Sequence, residues 1–474
     1  MANIEHIQVE ISLMKFIFLC LISVRAFGAI SPILVKESAL KYHPTVLAAL
    51  ERMRAGEEAV TGSRGAFDAK IVSDYKRQTK HDYNTTLSRT QVEKSLRVAN
   101  SKVYVGSEQI SNPAGFLAPI YHTGNPTTQT GNYSLLGLKL SLWKNLTLDP
   151  DRAALKNAKF DARIAKAEKT LTVLDIGRLG QLAYWEWVTN LKIKNVYENL
   201  LENSETRNEY LVIRNKKGDI GQIIVTENEQ YVASRRGSLQ SAKEGLLRAE
   251  YALSLFYRDE HGEPIIPRQE ESFEDFPKNL GIFLEKLDLN SDIDEIIKRR
   301  PDMKNFSLYV EKAGVDLDLA KQDLRPQVDV TTEYFQRTLE HPNMPRDYLM
   351  VMARVSIPIE RNLGNGNIAA ARARQMVAQK QMSYGLQSYK LEIMALRQTL
   401  FLQLEQVTQA EIEYTKAQEL VTSETYKFKT GGGNLFLVNL REQAQANAQA
   451  SFYQTRLAFM NTLLSYQALV STAE

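Results

Sequence analysis

The chain has 474 residues and a formal net charge of +3, with 24% charged and 43% hydrophobic residues. The charges are dispersed without a basic block, which argues against nucleic acid as a partner. No run of about 18 apolar residues occurs, so membrane-spanning helices are excluded, whereas the alternating strands of a membrane β-barrel would escape that test.

The first element is a targeting segment. "MKFIFLCLISVRAFGA" begins at Met14 with Lys15, continues through an apolar core from Phe16 to Val24, and ends on the small residues Gly28 and Ala29. It reads as a signal peptide over residues 1–29, with Met14 a possible true start. Cys20 is the only cysteine and lies inside it, so the exported chain can form neither disulfides nor thiolate metal sites.

A first repeat follows over 30–257. An amphipathic helix opens it. "FDAKIVSDYK" then alternates Phe67, Ala69, Ile71, Ser73 and Tyr75 against Asp68, Lys70, Asp74 and Lys76. "NYSLLGLKLSLW" sets Leu136, Leu138, Leu140 and Leu142 opposite Lys139 and Ser141. Period two over roughly ten residues predicts strands at 66–78 and 132–144, each with one apolar and one polar face. In the connection between them, from about Gln78 to Asn132, "HTGNPTTQTGN" is loop chemistry. From Asp151 to Glu263 there is no proline and strong helix formers dominate, which predicts a helical hairpin over 150–257 with its tip near 218–222. At about 1.5 Å per residue its first arm, of about 60 residues, would reach roughly 90 Å.

"RDEHGEPIIPRQEESFEDFPKN" forms a charged, proline-rich linker within 258–290. The second repeat, 291–474, starts with "IIKRRPDMKNFSLYVEKAGVD", which answers "ALKYHPTVLAALERMRAGEEA" with Pro301 against Pro44. "QVDVTTEYF" and "YLMVMARVSIPI" predict strands at 326–336 and 347–359, with Val330, Val351 and Val355 on apolar faces. A proline-free stretch then predicts a hairpin over 363–470. In it Leu386, Ile393, Leu400, Val407, Tyr414, Val421 and Phe428 recur every seven residues, the mark of a left-handed coiled-coil seam.

The tips are where the duplication is plainest. "IRNKKGDIGQIIVTENEQ" and "YKFKTGGGNLFLVNLREQ" align Gly218 with Gly431, Val225 with Val438 and Glu229 with Glu442. Glycines break an otherwise continuous helix at 430–434 because a tight reversal needs positive φ. No H-E-x-x-H, G-x-S-x-G or P-loop pattern occurs, the six histidines are scattered, and no cofactor is expected. Trp185 and Trp187, in mid-helix, read as packing residues.

The ordered motifs "RRPDM…AGVDLDLAKQDLRPQVDV", "VSIPIERNLGNGNIAAARAR" and "GGGNLFLVNLREQAQA" resemble the TolC-like outer-membrane efflux proteins, from about Ser31 to the carboxyl end. The resemblance implies a mainly α chain with a transmembrane β-barrel portion, four strands per chain. Three chains would form one twelve-stranded barrel, continued by a helical tunnel across the Gram-negative periplasm. It implies a passive conduit for drugs, metals or secreted polypeptide, not an enzyme. Its partners would be a periplasmic adaptor, an inner-membrane RND or ABC transporter, and outer-membrane lipid. Gly218, Gly221, Ile223, Gly431, Gly432, Gly433 and Leu435 become candidates for adaptor docking. Thr226, Glu229, Asn439, Arg441 and Glu442 become candidates for the periplasmic constriction, although Leu437 and Leu440 stand where relatives carry acidic residues. Leu138, Leu140, Val330, Val351 and Val355 are the lipid-facing candidates. The other readings of the same pattern are a periplasmic adaptor and a structural coiled-coil protein of the envelope.

Overall fold

A computed structural model describes residues 29–80, 83–111, 131–268, 271–286, 293–338 and 347–470. The predicted signal segment up to Gly28, with Met14 and Cys20, and most of "HTGNPTTQTGN" lie outside them.

In chain order, helices α1 (Pro32–Tyr42) and α2 (Pro44–Arg64) lead to strands β1 (Ala69–Lys80), β2 (Tyr83–Ser95), β3 (Lys102–Ser111) and β4 (Gly131–Ser141). The long helix α3 (Pro150–Lys216) and its return α4 (Gln222–Ser254) come next, followed by short helices α5 (Gly281–Lys286) and α6 (Ile293–Arg299). Then come α7 (Pro301–Gln322), β5 (Gln327–Arg337), β6 (Asp347–Ser356), α8 (Asn362–Lys429) and α9 (Leu435–Val470). Prolines at the starts of α1, α2, α3 and α7 suit the first helical turn, where the missing N–H would have no partner. Ser31 caps α1 by accepting from the Leu34 N–H at 3.1 Å.

The chain divides into two compact units. One gathers residues 48–171 and 293–390 and contains the sheet, a single antiparallel layer in the order β1-β2-β3-β4-β5-β6. This corrects the expectation of four strands. The connection between the two strands expected in the first repeat carries a complete extra hairpin, β2–β3, placed between β1 and β4. Its exposed positions are mostly Ser, Thr, Gln and Lys, so hydrophobic alternation left little trace there.

The other unit gathers residues 30–47, 172–292 and 391–471. Its α8–α9 pair packs along the heptad positions. Ile393, Leu400 and Val407 are buried, as are Phe452, Phe459 and Tyr466 on α9, and Tyr414 stacks on Phe452 at 6.1 Å. The stretch read as a linker is tied down. Ile30 bridges to Phe273, Phe276 stacks on Trp185 at 4.8 Å, and Phe273 meets Trp187 edge-on at 5.6 Å. Burial also holds the Tyr184 hydroxyl, beside the Ile30 and Glu274 carbonyls, well above the usual tyrosine pKa.

Candidate functional site

The two hairpin tips are built alike. At the first, Gly218 has φ +83°, its N–H donates to the Asn215 carbonyl at 2.9 Å, and the Asp219 N–H reaches the Arg214 carbonyl at 3.0 Å. At the second, Gly431 has φ +84°, with Gly431 N–H to the Phe428 carbonyl at 3.3 Å and Gly432 N–H to the Lys427 carbonyl at 3.0 Å. Both are Schellman terminations, in which the left-handed glycine satisfies carbonyls the helix leaves open. Lys216 and Lys429 in the preceding turns complement the negative helix ends. The chain re-enters at Gly221, the N-cap of α4, and at Asn434, whose side chain accepts from the Phe436 N–H at 2.9 Å.

Beneath the turns, Leu211, Val225 and Leu435 form a small core with Ile224 and Phe428 against it. Ile223 stands 75% exposed on one tip, and Phe436 is 46% exposed on the other. A few residues further from the turns lies a buried ionic cluster. Arg235 on α4, fully enclosed, donates to Glu442 at 2.9 Å and to the Asn439 carbonyl at 3.2 Å. Arg207 on α3 pairs with Glu442 as well and donates to the Asn439 amide oxygen at 2.7 Å. Burial pushes the Arg235 pKa down, against the pull of Glu442.

The sheet has two faces of different character. Residues directly paired in an antiparallel ladder share a face, so the register can be read across the strands. On the exposed face one row runs Ile71, Val92, Val105, Leu136, Tyr334, Leu349. The row on the loop side of it is polar throughout: Ser73, Thr90, Ser107, Ser134, Gln336, Asp347. On the helix side Leu138 and Val351 flank Thr332, Leu140 pairs with Val330, and Val328 with Val355. The opposite face is packed. Leu87, Tyr104, Ile110, Tyr133, Leu135 and Phe335 are buried there. Tyr104 lies across Gly137, where a Cβ would meet its ring at 2.1 Å, and its hydroxyl donates to Glu333 at 2.6 Å. Arg89 joins Glu333 at 3.3 Å and Glu108 at 2.8 Å.

No protein-family model and no curated protein matches the chain. Solved structures do. The CmeC outer membrane channel of Campylobacter jejuni superposes with a TM-score of 0.67 at 13% identity, covering 92% of this chain and 84% of that one. The outer membrane protein VceC of Vibrio cholerae gives 0.66 at 16% identity, covering 93% and 96%. The MtrE outer membrane channel of Neisseria gonorrhoeae gives 0.63 at 14% identity, covering 92% and 88%. The chain shares the fold of these three structures.

Within that fold the expected residues separate. Gly218 and Gly431 hold the left-handed turn conformation, while Gly432 lies outside the positive-φ region and has open space around it. At Gly433 a Cβ would meet the Phe428 backbone at 2.5 Å, so this glycine permits a close approach. Leu435, expected at the docking surface, is buried; Phe436 takes the exposed place. Asn439 and Glu442, expected at the constriction, are buried in the ionic cluster, because two arginines need their oxygens there. Thr226 and Glu229 are exposed and Arg441 is half-buried. The register puts Leu138, Leu140, Val330, Val351 and Val355 on one face, with Leu140 and Val330 partly covered. Arg207 and Arg235 drew no attention in the sequence, since nothing local distinguishes them from other helix-surface arginines.

Proposed function

We propose that three copies of this chain form a passive outer-membrane conduit, with the sheet in the bilayer and the long hairpins reaching into the periplasm. The observation that carries this reading is the exposed sheet face. A soluble protein would cover a row of six apolar side chains and those below it. Here that row is bordered on the loop side by a wholly polar row, as a lipid belt stops at the headgroups, and on the helix side by a row in which Ala69, Val103, Leu138 and Val351 stand with Lys94 and Thr332. Along β6, Leu349, Val351 and Val355 continue to Ile357, all exposed. The eight steps from Leu349 to Ile357, at about 3.4 Å each, cover about 27 Å along the strand, or about 21 Å of height at a tilt of about 40°, most of the roughly 25 Å belt of membrane barrels. Leu138, Leu140, Val330, Val351 and Val355 then face lipid. Trp143, 55% exposed just past β4, suits the aromatic girdle at the inner edge of that belt.

The tips are the adaptor-docking ends, presenting Gly218, Gly221, Ile223, Gly431, Gly432, Gly433 and Phe436. Thr226, Glu229 and Arg441 are the constriction residues still available to the pore. A conduit of this kind is no enzyme, so energy and choice of cargo (drug, metal or secreted polypeptide) come from an inner-membrane RND or ABC transporter. The likeness to channel structures over nine-tenths of the chain favours this reading over an adaptor or a structural coiled coil. Fractionation tests it. The protein should stay in the outer-membrane fraction after carbonate washing and run as a trimer on gels until boiled. A monomer released by carbonate would overturn it.

A further inference from the structure

We propose that β1 and β6 are the edges by which copies of this chain join, so that each copy contributes six strands to the barrel wall. This rests on the channel reading above. With three copies the wall would have eighteen strands, not the twelve that four strands per chain would make.

Several observations point this way. Among the described residues, β1 and β6 are the two open edges of the sheet, each with unpaired backbone groups along one side. Neither has a proline to interrupt a ladder, and at 12 and 10 residues they are matched in length. In a six-stranded antiparallel sheet the first and last strands run in opposite senses. The β6 edge of one copy can therefore accept the β1 edge of the next as one more antiparallel pair. Such a head-to-tail contact closes into a ring when the rotation per copy allows. The apolar row supports the same seam: it begins on β1 at Ile71 and ends on β6 at Leu349, both exposed, and joining the edges makes it continuous. Left open, both edges would bring unpaired N–H and C=O groups into the apolar belt, which lipid does not tolerate.

The extra hairpin fits this arrangement. Because β2 and β3 are antiparallel to each other, placing them between β1 and β4 leaves those two strands in their original senses. The wall gains a third of its strands from an insertion that leaves every helix connection unchanged. Barrels of 16–18 strands enclose an aqueous channel, whereas about eight strands leave room only for side chains.

Cysteine cross-linking tests the proposal, in a Cys20→Ser background that has no other thiol. Ile71→Cys, Ser73→Cys or Tyr75→Cys on β1 is combined with Leu349→Cys, Val351→Cys or Ala353→Cys on β6. Oxidised outer membranes should give a reducible shift from one-chain to three-chain mass in one register, with each single variant unshifted. Ser73→Cys with Thr90→Cys, paired in register with hydroxyls 2.9 Å apart, should close within one chain and keep the one-chain mass. A boil-sensitive trimer that no β1–β6 combination links would overturn the seam and leave the channel standing. Failure of the β1–β2 pair to close would take the extra hairpin out of the wall and overturn the count of six. Absence of any trimer, in unboiled gels and with a lysine cross-linker, would bring down the channel reading and this proposal with it.

Discussion

The two hairpin tips align in sequence, and they agree in backbone while disagreeing in side chains. Gly218 and Gly431 share a φ within one degree and the same pair of terminating hydrogen bonds. Val225 and Val438 are both buried, and Ile223 and Phe436 both exposed. The divergence begins one residue away. Buried Leu435 answers to exposed Gln222, and buried Glu442 to exposed Glu229. The arginines that bind Glu442 come from the first repeat, where Arg207 and Arg235 occupy places held by Leu420 and Ala448 in the second. One tip supplies the donors and the other the acceptor, so the tie holds unlike hairpins together. The turn is alike in both because its φ requires glycine. The flanks differ because burial there depends on which helix packs against them.

The sharpest way to break the equivalence is at the two glutamates. Glu442→Ala leaves Arg235 enclosed without its partner and should weaken the tip by about 3–5 kcal/mol, whereas Glu229→Ala should stay within about 0.5 kcal/mol. Amide hydrogen exchange in the first turns of α9 would read the difference. Equal protection in both variants would mean the cluster contributes nothing. Joint replacement of all three charges, Arg207→Met and Arg235→Met with Glu442→Leu, should recover part of the loss, since apolar groups need no ionic partner.

Next in size is the core beneath the turns. Leu435→Ala should cost about 2–5 kcal/mol through the cavity it leaves. Gln222→Ala at the matching place should fall within about 0.5 kcal/mol.

The glycines test what the tips share. Gly218→Val and Gly431→Val should each cost about 1–3 kcal/mol of backbone strain. Gly432→Val should cost much less, because it lies outside the positive-φ region and nothing crowds it. A large effect at Gly432 together with a small one at Gly431 would show the turn to be misplaced.

The smallest effect on the fold belongs to the exposed pair. Ile223→Ser and Phe436→Ser should leave protection and trimer unchanged, within about 0.5 kcal/mol. If the tips dock an adaptor, both should lower export in cells; normal export with both replaced would remove them from that surface.

How much of this was legible varies with the range of the signal. The heptad positions Ile393, Leu400 and Val407 announce themselves because a helix repeats its contacts every few residues. Leu136 and Leu138 do so because a strand alternates. The hairpin β2–β3 was hidden because "YNTTLSRTQVEKS" offers few apolar positions to alternate. Its enrichment in Thr and Val, with "KVYV" after it, was the signal that could have found it.

By itself the sequence determined the long helical hairpins, the reversals at Gly218 and Gly431 and the two-faced character of β4, β5 and β6, all of which follow from neighbours along the chain. Only the tertiary structure decided that Leu435 lies inside and Phe436 outside, and that Glu442 serves Arg207 and Arg235. Those outcomes depend on groups more than 200 residues apart in the chain, whose meeting no local pattern encodes. The same holds for the apolar row from Ile71 to Leu349. Each strand supplies one residue, but only the pairing register lines the six up on one face.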